Sequence, residues 1–152
     1  MGGMGKGLRK RRREKMDFSF VNINNTDFNA QMYIRILIAI AKADPDNGPP
    51  EFEFVRRQAR QLDVDYEDFL ATTDKSFAIE QQKVSRLTAM AILKDAILLA
   101  SLDRNISLPE KQRIYTYAEK LDISRSDVDA LESFIEDYRQ LNQQWRHLIE
   151  MK

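Results

Sequence analysis

The chain carries the same acidic turn twice. AIAKADPDNGPPE runs from Ala39 to Glu51, and LLASLDRNISLPE runs from Leu98 to Glu110. Asp44 and Asp103 lie 59 positions apart, as do Pro50 and Pro109, and Glu51 and Glu110. Without a gap, the same offset pairs Ala59 with Ala118, Leu62 with Leu121, Asp63 with Asp122 and Asp68 with Asp127. A register held over this length points to an internal duplication of a helix–turn–helix unit, with copies at about 34–71 and 93–130. In each copy an apolar helix runs into the acidic turn. A second helix then opens at Pro-Glu, where proline is pre-set for the first helical turn and glutamate complements the helix dipole.

The rest of the chain reads as helix in the same way. Three N-cap types at 25–27 predict a first helix ending near Ala43, with Phe28, Met32, Ile36, Leu37 and Ile40 on one face and Arg35 and Lys42 on the other. Pro45 and Gly48 stop it, and the next helix carries Phe54, Val55, Ala59 and Leu62 inward. Asp65, three before Asp68, opens a third. Residues 83–101 form the most apolar segment, with alanine spread around it, which predicts a central helix with close neighbours on several sides. Ser107-Leu-Pro-Glu110 is a capping box, and Ser124 opens the last helix. There the apolar residues Val128, Leu131, Ile135, Tyr138, Leu141, Trp145, Leu148 and Ile149 recur every three or four positions almost to the end. Uninterrupted, that helix is roughly 40 Å long. The expected fold is all-α: a compact helical bundle built from the duplicated unit, with a long C-terminal helix.

Charge divides the chain unevenly. The formal net charge is zero, yet residues 1–16 hold seven basic side chains and one acidic, leaving a body of opposite sign. The glycines and the basic run of 1–16 predict a disordered tail, and 17–25 an extended segment packed on helices. Arg9, Lys10, Arg11, Arg12 and Arg13 are candidates for binding nucleic acid or an anionic membrane surface, because clustered cations neutralise phosphates. No aromatic residues interleave them and no fold signature for base recognition accompanies them, so a solvated tail is the simpler account. The absence of cysteine excludes disulfides, thiolate catalysis and sulfur-built zinc sites. The apolar run at 89–102 is broken by Lys94, Asp95 and Ser101 and is too short to span a bilayer. No transmembrane segment or secretion signal is read, and a cytoplasmic location is the expectation.

At its two turns the chain resembles the TerB-like family, which includes the tellurite-resistance TerB domain and the amino-terminal domain of DjlA-type co-chaperones. That family's pattern is an apolar helix ending Ala-x-x-Asp-Gly, then Ser-x-x-Glu opening the next helix, repeated once. Here Ala41-Lys-Ala-Asp44 is followed by Gly48-Pro-Pro-Glu51, and Ala100-Ser-Leu-Asp103 by Ser107-Leu-Pro-Glu110. The run from Leu121 to Asp127 is similar to the family's acidic-leucine turn. The glycine usual after each aspartate is Pro45 in one copy and Arg104 in the other, which alters the turn backbone. The resemblance, over about residues 28–138, implies a helical interaction and stress-response module whose acidic residues are candidates for metal binding.

Two candidate sites follow. If the two units pack about a pseudo-twofold axis, Asp44, Glu51, Asp103 and Glu110 can converge, and four carboxylates suit a hard cation such as Ca²⁺, Mg²⁺ or Mn²⁺. Capping explains the same residues without an ion: glutamates in first turns and aspartates bonding turn amides. The second is the terminal helix. Its stripe is first a core face, but its distal half has no counterpart in the duplicated unit. Tyr138, Trp145, Leu148 and Ile149 are therefore candidates for a protein partner or self-association. His147 is the only histidine, and with no cysteine the common nucleophile–base pairs cannot be assembled. A non-enzymatic protein is expected, with binding through the basic tail as the alternative.

Overall fold

The computed structural model describes residues 27–101 and 106–151. Within them the chain forms six α-helices and one 3₁₀ turn: α1 (Ala30–Ala43), α2 (Pro49–Gln61), α3 (Tyr66–Thr72), the 3₁₀ turn (Lys75–Ile79), α4 (Arg86–Ala100), α5 (Leu108–Lys120) and α6 (Arg125–Glu150). No strand occurs among the described residues. The segment at 17–25 lies outside them.

The 59-residue offset extends to the backbone. α2 moved by 59 positions gives the bounds of α5, and Tyr66, where α3 begins, maps onto Arg125, where α6 begins. Both α2 and α5 end in a Schellman closure. Val64 N–H donates to Ala59 O and Ile123 N–H to Ala118 O, each at 2.9 Å. The residue turning each corner is left-handed: Asp63 at φ 59° and Asp122 at φ 61°. Aspartate tolerates that region better than most residues because its short side chain bonds locally. Each repeat is thus three helices rather than two. In the first unit α1 packs on α2 and α3; in the second, α4 packs on α5 and α6.

The two leading helices, α1 and α4, pack against each other at the centre, and their N-terminal ends are tied at matching positions. Asn29, which caps α1, donates its backbone N–H to Thr88 Oγ1 at 3.0 Å, and 29 and 88 are again 59 apart. Ile34 and Leu93 occupy equivalent positions and both are fully buried; so do Ile40 and Leu99, both in the core. The centrality expected of α4 applies equally to α1. A single buried face was expected there, but Tyr33, Ile34 and the whole run 36–41 are buried, because α2, α3, the 3₁₀ turn and α4 all pack on α1. The first helix also starts later than its caps suggested: Asn29 accepts from Met32 N–H at 3.1 Å, leaving Phe28 outside the helix but packed on the core. At the other end Lys42 reaches over to α3, its Nζ donating to the carbonyls of Leu70 and Thr73 at 2.5 and 2.6 Å. This caps the open carbonyl end of a helix only seven residues long.

α5 and α6 are joined by a polar clamp. Lys111 Nζ lies 3.0 Å from Glu132 Oε1 and 3.4 Å from Asp129 Oδ1, while Tyr115 Oη donates to Asp129 at 2.5 Å. The hydrogen bond to Glu132 raises the Lys111 pKa, and the bond from Tyr115 lowers that of Asp129. The clamp holds the first half of α6 against the body. Further along, Arg139 donates to Ser101 O at 2.9 Å and to Ser101 Oγ at 2.6 Å. Beyond Arg139 nothing in α6 is buried.

Candidate functional site

The described carboxylates of the acidic turns bond backbone amides beside them. Glu51 accepts from Gly48 N–H at 3.1 Å and Glu110 accepts from Ser107 N–H at 3.0 Å, each carboxylate reaching back over the start of its helix. In the second copy Glu110 N–H in turn donates to Ser107 Oγ, closing a full capping box. In the first, Gly48 has no side chain to do so, and Pro49 and Pro50 remove two of the amides that need a partner. Asp44 folds onto its own turn, accepting from Asp46 N–H at 2.9 Å, and faces Arg113 Nη2 on α5 at 3.5 Å. Asp103 lies outside the described residues. Among the described residues no three histidine, aspartate or glutamate side chains come together as a metal site. The structure thus places Asp44, Glu51 and Glu110 in separate capping and ion-pair roles and does not bring these three together.

A polar cluster that the sequence did not single out lies inside the bundle. Lys94 and Asp95, read from sequence as breaks in an apolar run, are 4% and 0% exposed. Lys94 Nζ is 3.4 Å from Asp95 Oδ1, and the other carboxylate oxygen of Asp95 accepts from Tyr33 Oη. Tyr33 Oη also lies 3.5 Å from Gln58 Oε1, so α1, α2 and α4 meet at this network. Enclosed by core residues, it has the character of an internal brace. A shallow cleft of about 360 Å³ opens beside Arg139, lined by Ile97, Ser101, Ile106, Glu132 and Glu136 among others. The guanidinium there is engaged by Ser101.

The distal half of α6 is the exposed apolar feature. Every residue from 141 to 150 is exposed. Leu141 is 63%, Trp145 53%, Leu148 64% and Ile149 59% accessible, and Met151 beyond the helix is 63%. Tyr138 is half-buried where α6 leaves the body, and its ring belongs to the transition rather than to the open face. Of the candidates named from sequence, Trp145, Leu148 and Ile149 share this surface; Leu141 and Met151 join them. The three-and-four spacing already contained Leu141, but that spacing also describes a buried face. What separates the two is length: α3 stops at Thr72, whose equivalent is Leu131, while α6 runs 19 residues further. His147 lies on this exposed segment, away from the buried network. No described helix is long and apolar enough to cross a membrane. Arg9, Lys10, Arg11, Arg12 and Arg13, the candidate phosphate-binding residues, lie outside the described residues. Comparison with family models, with curated proteins and with solved structures returned no match.

Proposed function

We propose that this chain is a non-enzymatic interaction module that offers the projecting half of α6 to a protein partner, with a stress-response role of the kind its TerB-like turns imply. One observation carries the reading: a helix clamped to the bundle through Arg139 continues for three turns with Leu141, Trp145, Leu148 and Ile149 all more than half exposed. A group of large apolar side chains on one exposed helix exceeds the scattered single residues normal on a monomer. Truncation after Asn142 tests it. The shortened protein should keep its helical circular dichroism and melt within a few degrees of the full chain, because the described residues removed, 143–151, are all exposed. A collapse of the melting temperature would show that the tip belongs to the fold, and the docking role would be withdrawn.

The acidic turns act, in this reading, as helix caps. Glu110→Ala should cost ~1 kcal/mol in urea unfolding, whereas Glu110→Gln should cost little, since glutamine keeps an oxygen that can accept from Ser107 N–H. Ca²⁺, Mg²⁺ or Mn²⁺ should leave the melting temperature of the full chain unchanged. A metal-dependent rise that disappears in Asp44→Asn with Asp103→Asn would instead establish the cation site, because asparagine keeps the turn bonds but not the charge an ion requires.

A further inference from the structure

We infer that Asn47 is a site of spontaneous covalent modification: the backbone nitrogen of Gly48 converts its side-chain amide to a carboxylate, and the turn between α1 and α2 sets the rate. Of the asparagines in the chain, Asn47 alone is followed by glycine. A side chain on the following residue would crowd the approach of its nitrogen to the asparagine Cγ, and glycine has none. The backbone at Gly48 does not itself call for glycine. Its φ of −132° is extended, and a Cβ built there would meet nothing closer than Pro50 Cδ at 4.0 Å. The equivalent position in the second repeat is Ser107, preceded by Ile106, so that turn lacks both partners of the reaction.

The chemistry balances with water as the only co-reactant. Gly48 N bonds to Asn47 Cγ, the Cγ–Nδ2 bond breaks, and the amide nitrogen leaves as ammonia with the proton that Gly48 gave up. Water then opens the succinimide ring at either carbonyl. One opening returns aspartate; the other returns isoaspartate, with the main chain routed through the side chain. Nothing is oxidised or reduced. In the closed turn both participants are engaged elsewhere. Asn47 Nδ2 donates to Ala41 O at 3.0 Å, and Gly48 N–H donates to Glu51 Oε2 at 3.1 Å. Asn47 N–H is itself held by Asp44 O at 3.1 Å. The ring closes only after these bonds let go, so the reaction runs from a locally opened turn.

The product cannot remake that turn. A carboxylate at 47 has no hydrogen to give Ala41 O, one of the last open carbonyls of α1, and it sets an anion at the end of the helix dipole that disfavours one. It also joins Asp44, Asp46 and Glu51 in one short segment, where Arg113 already pairs with Asp44 at 3.5 Å. Isoaspartate lengthens the main chain before Gly48 and so displaces the amide that Glu51 accepts from. Either product loosens the junction of α1 and α2, the two helices whose Tyr33 and Gln58 meet in the buried network. Because the ammonia is lost to solvent, the change is one-way and records how often the turn has opened.

Peptide mapping of the full chain during incubation at neutral pH tests this, with aspartate and isoaspartate peptides separated by chromatography. Conversion should appear at Asn47 in the folded protein and run ~10-fold or more faster in the guanidinium-unfolded chain. Glu51→Ala should speed it in the folded protein. Gly48→Ser keeps a cap and puts a side chain beside the attacking nitrogen, so it should suppress conversion in both states. Asn47→Asp should lower the melting temperature by ~2–4 °C. A folded protein that stays unmodified while the unfolded chain converts has a turn that does not open, and the site is overturned. Conversion undiminished in Gly48→Ser excludes the attack by the residue 48 nitrogen. Equal rates in folded and unfolded chains, or a slower rate in Glu51→Ala, overturn control by the turn. An unchanged melting temperature in Asn47→Asp overturns the effect on the fold.

Discussion

Lys94→Met should destabilise the protein by about 3–5 kcal/mol, far more than its modest change of volume would suggest. The ammonium is 4% exposed and sits 3.4 Å from a carboxylate that is wholly buried. Methionine fills nearly the same space but leaves the charge of Asp95 in the interior without that cation, and the hydroxyl of Tyr33 cannot compensate a full charge. The companion variant separates charge from packing. Lys94→Met combined with Asp95→Leu removes both ions and both desolvation penalties, so it should be more stable than Lys94→Met alone although it carries one more substitution. Urea unfolding at neutral pH measures all three proteins and closes the cycle with Asp95→Leu. If Lys94→Met costs less than ~1 kcal/mol, or if the two substitutions simply add, the pair is not an internal brace and the burial of Lys94 has no energetic role.

The same pair shows where sequence reasoning reaches its limit. Helix positions, the capping box at Ser107 and the repeat of 59 were legible because each depends on residues close together in the chain. Whether Lys94 and Asp95 face water depends instead on tertiary packing, in which α1 lies against α4 and its Tyr33 bonds Asp95. Nothing in the periodicity of α4 records this, so two charges in an apolar run read as interruptions. The inward side of α1 was underestimated for a related reason. Its polar residues Arg35 and Lys42 marked an outer face, yet Lys42 is held by the carbonyls of α3 and Arg35 by the Phe69 ring and Thr73. Long cationic side chains can run along apolar surface and deliver only their heads to a polar partner. The left-handed Asp63 and Asp122 were visible as a matched pair, but their conformation was not, since glycine is the usual signal for it.

At the candidate sites the divide follows the same line. Glu110 was legible from spacing as the acidic member of a capping box and Glu51 as a first-turn anion, and each accepts from the amide that precedes its helix. Convergence of the two turns was a statement about tertiary packing, for which a repeat offers an axis but no distance. For α6 the apolar spacing was plain in the sequence, whereas exposure was not. A stripe at three and four is the same whether a body or a partner covers it. Only the end of the body near Arg139 separates Ile135, which is buried, from Leu141, which is open.

Ile34→Ala and Leu93→Ala should each cost ~2–5 kcal/mol, while Leu148→Ala, the same chemical change as Leu93→Ala, should alter the stability of the monomer by less than ~0.5 kcal/mol. Ile34 and Leu93 occupy the same position of the two repeats and are each fully buried, one in α1 and one in α4. Truncation there removes three side-chain carbons from a fully buried position in one of the two helices that pack together at the centre, and leaves a cavity that can collapse only in part. Leu148 is 64% exposed, and its truncation removes little that folding has buried. The comparison isolates burial from residue type, because leucine to alanine is made at both ends of the contrast. Urea unfolding with an unchanged slope is the measurement, performed at a protein concentration low enough that association does not contribute. Large and comparable losses at 34 and 93 mean that the central helices of both repeats support one core. A large loss at one and a small loss at the other would show that the duplicated units share a backbone pattern without sharing the load, and the two-unit description of the fold would have to give way to a single unit with an appended one.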